Sequence, residues 1–168
     1  MSTTSLMTFA EFEQLPDSTG KQELIDGEVV QLPPPVSTNT LIAKWLYDLL
    51  LRTTDPGRVL FEAGYRIAGG WLQPDVSVLW PEQKMFGQYW AGGPALANEV
   101  LSTANTAAQI DRKLTLYLSE GSGEVWVVSP RRRTMTVYRD NLRIAIETTY
   151  TSERLDITVV LSQMPSIS

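Results

Sequence analysis

At 168 residues, with 43% hydrophobic and 20% charged residues, the chain has the make-up of a globular domain spanning 1–168, large enough to bury a core without staples. It has no cysteine and no histidine, which removes disulfides, Ser-His and Cys-His nucleophile pairs, and the imidazole and thiolate ligands that zinc normally takes. A bound ion would be a hard one held by carboxylates, carbonyls and water, and the net charge of −5 argues against indiscriminate adhesion to nucleic acid.

The opening Met1-Ser2-Thr3-Thr4-Ser5-Leu6-Met7 has neither the basic start nor the apolar run of a signal peptide. No later stretch approaches the roughly 18 apolar residues of a membrane span. A cytoplasmic protein without membrane partners is the expectation. Thr8-Phe9-Ala10-Glu11 has capping-box spacing and predicts a short helix ending before Pro16. Glu23-Leu24-Ile25 and Glu28-Val29-Val30 flank Asp26-Gly27, which predicts a hairpin with a type I′ turn, closed off by Pro33-Pro34-Pro35.

From about Thr38 to Thr53, Leu41, Ile42, Trp45, Leu46, Leu49 and Leu50 fall at helical spacing and form one apolar stripe. Strands are predicted at about Val59–Ile67 and Leu72–Trp80, joined by a Gly69-Gly70 turn, and again at about Ala95–Leu101. A second helix is predicted at Thr106–Ser119, with Ile110, Leu114, Tyr117 and Leu118 inward and Gly121 ending it. Strands follow at Glu124–Val128, Thr134–Arg139, Leu142–Tyr150 and Ile157–Leu161, with Arg131-Arg132-Arg133 read as a solvated hairpin turn. The order implies an α/β unit with a mixed sheet.

Three residues stand out as candidates for chemistry. Strand alternation sets Gln73, Asp75 and Ser77 on one face and Pro74, Val76 and Val78 on the other. Glu99 interrupts the apolar run Ala95–Leu101, where an unpaired carboxylate costs several kcal/mol, so it needs a cation or a donor. Lys113 flanks the stripe of the second helix, where its stem can lie on the core while the ammonium reaches a neighbouring site. Each also has an ordinary reading: a solvent-facing strand acid, a locally paired carboxylate, a snorkelling lysine. The aromatic segment of Trp80, Phe86, Tyr89 and Trp90 reads first as packing, and second as a surface for bases or another subunit.

The stretches Gln22-Glu23-Leu24-Ile25-Asp26-Gly27-Glu28, Gln73-Pro74-Asp75-Val76-Ser77-Val78, Glu99-Val100-Leu101-Ser102, Arg112-Lys113-Leu114-Thr115-Leu116-Tyr117 and Glu124-Val125-Trp126-Val127-Val128, in this order from about Met7 to Asp140, resemble the Uma-two family of restriction-endonuclease-like proteins. The resemblance implies a PD-(D/E)XK nuclease fold, a central mixed β-sheet flanked by helices. It also implies Asp75 and Glu99 as ligands of Mg²⁺ or Mn²⁺, helped by the Val100 carbonyl, with Lys113 orienting the attacking water or stabilising charge on the phosphate. Glu23 and Gln109 fall at supporting positions. Leu101 stands where most such nucleases carry their lysine, while Gln22, Thr103, Gln109 and Asn39 replace the family's Tyr, Pro, Asp and His. The function implied is metal-dependent hydrolysis of phosphodiester bonds in DNA by an endonuclease acting as a homodimer. A catalytically silent nucleic-acid- or protein-binding module on the same scaffold, and a dimeric interaction module with no nucleic-acid role, are the other readings.

Overall fold

A computed structural model describes residues 5–166. The first four residues, part of the opening read as lacking a leader, lie outside it. Thr8 caps helix α1 (Phe9–Phe12) with both hydrogen bonds of a capping box, its side chain bonded to the Glu11 N–H and its own N–H to the Glu11 carboxylate. Strands β1 (Lys21–Ile25) and β2 (Glu28–Leu32) then form the expected hairpin. Asp26 and Gly27 sit at φ 50° and 81°, the left-handed pair that a type I′ turn requires. Helix α2 (Ser37–Thr53) follows, burying Ile42, Leu46, Leu49 and Leu50. Each such side chain contributes about 1.5–3 kcal/mol when fully removed from water.

The strand expected over 59–67 is broken in two, and the one expected over 72–80 keeps Val76–Val78 and, at its start, Leu72, while Gly70 of the expected turn lies in a strand. The chain forms β3 (Val59–Phe61), β4 (Tyr65–Ile67), β5 (Gly70–Leu72) and β6 (Val76–Val78). β4 and β5 make a tight hairpin through Ala68 and Gly69, while β3 pairs with β6 in a different sheet. The breaks have local causes. Glu62 takes a left-handed φ of 46°, and Pro74 brings no ladder donor. The Gln73-Pro74-Asp75 link therefore carries the chain from one sheet to the other.

Two short strands, β7 (Met85–Phe86) and β8 (Tyr89–Ala91), were not expected from the sequence. β9 (Leu96–Val100), α3 (Ala107–Ser119) and β10 (Glu124–Ser129) make a crossover in which β9 and β10 run parallel. β11 (Thr134–Arg139) and β12 (Leu142–Ile146) extend that sheet, and β13 (Thr149–Ser152) and β14 (Ile157–Val160) form a separate hairpin. The single strand expected over 142–150 is thus divided between β12 and β13.

The result is a mixed α/β architecture with two six-stranded sheets. The central sheet has the order β12-β11-β10-β9-β6-β3, and the second sheet β2-β1-β5-β4-β8-β7. Alternation along the central strands divides the core. Val76, Val78, Leu96, Val100, Trp126 and Val128 pack against α2 and the β13–β14 hairpin. Ala97, Val125 and Val127 pack on the opposite face, against α3 and the inward residues of the second sheet, Ile25, Tyr65, Ile67 and Leu72. Among the described residues no helix is long and apolar enough to cross a membrane.

Candidate functional site

The site lies where the central sheet, α3 and β1 meet. β6 and β9 are antiparallel neighbours with Val76 opposite Asn98, so Asp75, just before β6, and Glu99 in β9 come from adjacent chain segments. Val76 and Val78 turn toward α2, and Ser77 turns the other way to accept a hydrogen bond from the Tyr65 hydroxyl at 2.8 Å. Asp75 is half-buried, and Glu99 is buried near the end of β9, between Asn98 and Val100.

Asp75 is held from two sides. Its Oδ2 accepts the Val100 N–H at 2.7 Å, and its Oδ1 accepts from Lys21 Nζ at 3.3 Å. Glu99 Oε1 lies 2.7 Å from Lys113 Nζ and accepts the Tyr117 hydroxyl at 2.8 Å. Lys113 also reaches Glu23 on β1, 2.9 Å from each carboxylate oxygen, with the hydrogen bond directed at Oε1. The Gln73 N–H donates to the same Glu23 Oε1 at 2.9 Å, tying the link between the sheets to the cluster. Lys113 is thus the partner that a carboxylate inside an apolar strand demanded.

Burial raises the Glu99 carboxyl above the ordinary carboxylate value, with Glu23 and Asp75 adding repulsion and Lys113 and Lys21 opposing it. Burial works against charged Lys21, yet the attraction of Asp75, Glu99 and Glu23 holds it above the usual lysine value. Burial also pushes the Tyr117 hydroxyl well up, reinforced by Glu99 and Glu23, so it stays a proton donor to Glu99.

Lys21, Asp75, Glu99 and Val100 line one cavity of about 380 Å³, with Asn39, the Pro33–Pro35 strap and the loop from Ser102 to Asn105 completing its wall. Lys113 and Glu23 lie behind this wall. The Val100 carbonyl accepts the Asn39 side-chain amide at 3.2 Å, and the same amide reaches the Leu101 carbonyl at 3.0 Å. Gln109 stands apart: it closes a capping box with Thr106 at the start of α3.

Two members of the cluster escaped the sequence reading. Tyr117 was read as an apolar-stripe residue, yet it lies four positions after Lys113 and one helical turn along the same face, so both polar tips reach Glu99. Lys21 shares the inward face of β1 with Glu23 and buried Ile25, a sequence signal visible as a lysine two residues before an inward acid. What it meets depends on the pairing of distant segments.

A divalent ion of the kind restriction-endonuclease-like proteins use takes oxygen donors. Asp75, Glu99 and Val100 line one cavity, and each carboxylate has lone pairs beyond its present partners, so the donor types fit a hard ion. Among the described residues no group of three or more acidic side chains is arranged to hold a metal. Such an ion would complete its shell with water, as magnesium usually does.

A crystal structure described as a "putative nuclease belonging to DUF820" from Anabaena variabilis ATCC 29413 has the same fold, with a TM-score of 0.82 and 18% sequence identity over 94% of this chain and 97% of that one. None of the curated proteins matches the chain. The model of the Uma2 family, described as "Putative restriction endonuclease", matches residues 9–165, nearly the whole chain from α1 to beyond β14. The chain belongs to the Uma2 family.

Proposed function

We propose that this protein is a divalent-metal-dependent nuclease that hydrolyses phosphodiester bonds in DNA, built as one domain. The observation that carries the reading is the pair Asp75 and Glu99, presented from neighbouring segments to one cavity with a half-buried ammonium, Lys21, beside them. Asp75, Glu99 and the Val100 carbonyl would hold Mg²⁺ or Mn²⁺, which, when bound, polarises a phosphoryl oxygen and lowers the pKa of a coordinated water.

The protein's own contribution is to fix those donors in advance. The Val100 N–H sets the Asp75 carboxylate, and Lys113 with Tyr117 sets that of Glu99. A carboxylate held this way needs no reorganisation when charge develops on the substrate. Lys113, 3% exposed and bonded to two acids, is a positioning residue in this reading, and Glu23 supports it. DNA is the substrate class suggested by the family's description. A cytoplasmic setting and a homodimer that offers two cavities to two strands complete the proposal.

The silent-module reading draws on a different feature of the cluster. Two ammonium groups already answer the three carboxylates, leaving one excess negative charge, so the site is nearly neutral without an ion. Nicking of supercoiled plasmid and of single-stranded DNA with magnesium or manganese separates the two. Wild type should cut, and Asp75→Asn or Glu99→Gln should cut at least about 10²-fold more slowly. Absence of cutting by wild type on either substrate with either ion would contradict the nuclease reading.

A further inference from the structure

Two lysines approach the acidic cluster, and their surroundings differ. The Lys113 side chain is 3% exposed, and its ammonium is shared between Glu99 at 2.7 Å and Glu23 at 2.9 Å. It lies behind the cavity wall. The Lys21 side chain is 14% exposed and forms part of that wall. Its ammonium donates to Asp75 at 3.3 Å and stands 3.9 Å from Glu23, beyond hydrogen-bond range. An ammonium has three donors. Among the described residues only one of the three on Lys21 meets an acceptor.

We propose that Lys21, not Lys113, is the residue that contacts the substrate, donating to a non-bridging oxygen of the phosphate brought into the cavity beside Asp75. The proposal rests on the nuclease reading above. Three features support it. The spare donors of Lys21 belong to the only lysine among the described residues that lines this cavity. Its stem rises from the first residue of β1, paired with Leu32 of β2, so its root is held by the hairpin while four flexible bonds let the ammonium swing between Asp75 and a ligand. Asp75 holds the ammonium in place beforehand, and the same carboxylate keeps it from being left uncompensated when no substrate is present.

The test is binding of a fluorescein-labelled DNA duplex in calcium, a hard oxygen-seeking ion, over a series of salt concentrations, alongside plasmid nicking in magnesium. Loss of one phosphate contact lowers the slope of log affinity against log salt by about 0.9 and weakens binding severalfold whatever the sequence. Lys21→Met should show both changes. Lys21→Arg, which keeps the charge, should restore the slope. Lys44→Met, on the exposed surface of α2, should leave it unchanged. Thermal melts of each variant show whether it is folded at the assay temperature. If wild type binds and cuts while folded Lys21→Met keeps the full slope, or if Lys21→Arg loses the slope like Met, the role of Lys21 is wrong and the nuclease reading stands. If wild type neither binds nor cuts DNA, the nuclease reading itself falls, and this assignment with it.

Discussion

The Lys113 ammonium touches two carboxylates that water scarcely reaches, Glu23 fully buried and Glu99 nearly so. On sequence alone a Lys113→Met change would keep the aliphatic stem on Ile110 and Leu114 and cost little. The structure reverses that expectation, because removing one partner of a buried ion pair leaves uncompensated charge and costs about 3–5 kcal/mol. Denaturant unfolding should show Lys113→Met destabilised by that order, with part of the loss returned when Glu99→Gln is added. A loss under about 1 kcal/mol would mean that the acids find other partners. Glu99 gives a pH signature as well. Its folded carboxyl is raised above the ordinary 4.5, so its ionisation opposes folding, an effect absent well below 4.5 and growing as pH rises through the folded value. Glu99→Gln escapes this cost. Its melting temperature relative to wild type should climb as pH rises above the ordinary carboxyl value of 4.5. A flat or falling difference would contradict the assignment. Strand alternation set Asp75 apart from the valines beside it, and the need of Glu99 for a partner followed from its apolar neighbours. Lys21 and Tyr117 were not legible as partners, because their contacts join residues far apart in the chain.

Periodicity located α2 and α3, and the Asp26-Gly27 pair located the first hairpin, since each is set by local spacing and local φ. The β3–β6 region was read as one long hairpin because its apolar alternation runs on through both breaks. Which sheet each half joins is decided by partners elsewhere in the chain, and the Gln73-Pro74-Asp75 link that results is what delivers Asp75 to Glu99. Gly70 keeps β5 against β1. A Cβ built there would lie 2.0 Å from the Leu24 carbonyl oxygen, so the pairing that holds the strand of Lys21 and Glu23 has no room for a methyl group. Gly70→Ala should cost about 1–3 kcal/mol, the range of overpacking in a close contact, and should also weaken metal binding by shifting β1. Asn39 bonds the Val100 and Leu101 carbonyls at the end of β9. Asn39→Ala should cost about 1–3 kcal/mol, the penalty for buried acceptors left unsatisfied. A neutral result in unfolding experiments would show that water replaces the amide.

At the scale of the whole molecule the net charge is −5, and the cluster at the cavity has the same sign, with two ammonium groups answering three carboxylates. Of the three arginines read as a solvated turn, Arg131 and Arg132 are exposed, while Arg133 turns back to bond the Met164 and Pro165 carbonyls and so anchors the C-terminal segment. The central sheet, α2 and α3 form a scaffold that delivers two carboxylates to one wall and keeps their lysine support behind it. The decisive property is therefore whether Asp75 and Glu99 share an ion. Titration calorimetry with manganese addresses this most directly, on wild type, Asp75→Asn and Lys21→Met. Wild type should bind one ion per chain in the cavity, Asp75→Asn should lose about tenfold or more of that affinity, and Lys21→Met should retain binding because both carboxylates remain. Equal manganese affinity in wild type and Asp75→Asn, or no binding by wild type, would contradict a metal centre formed by these two residues.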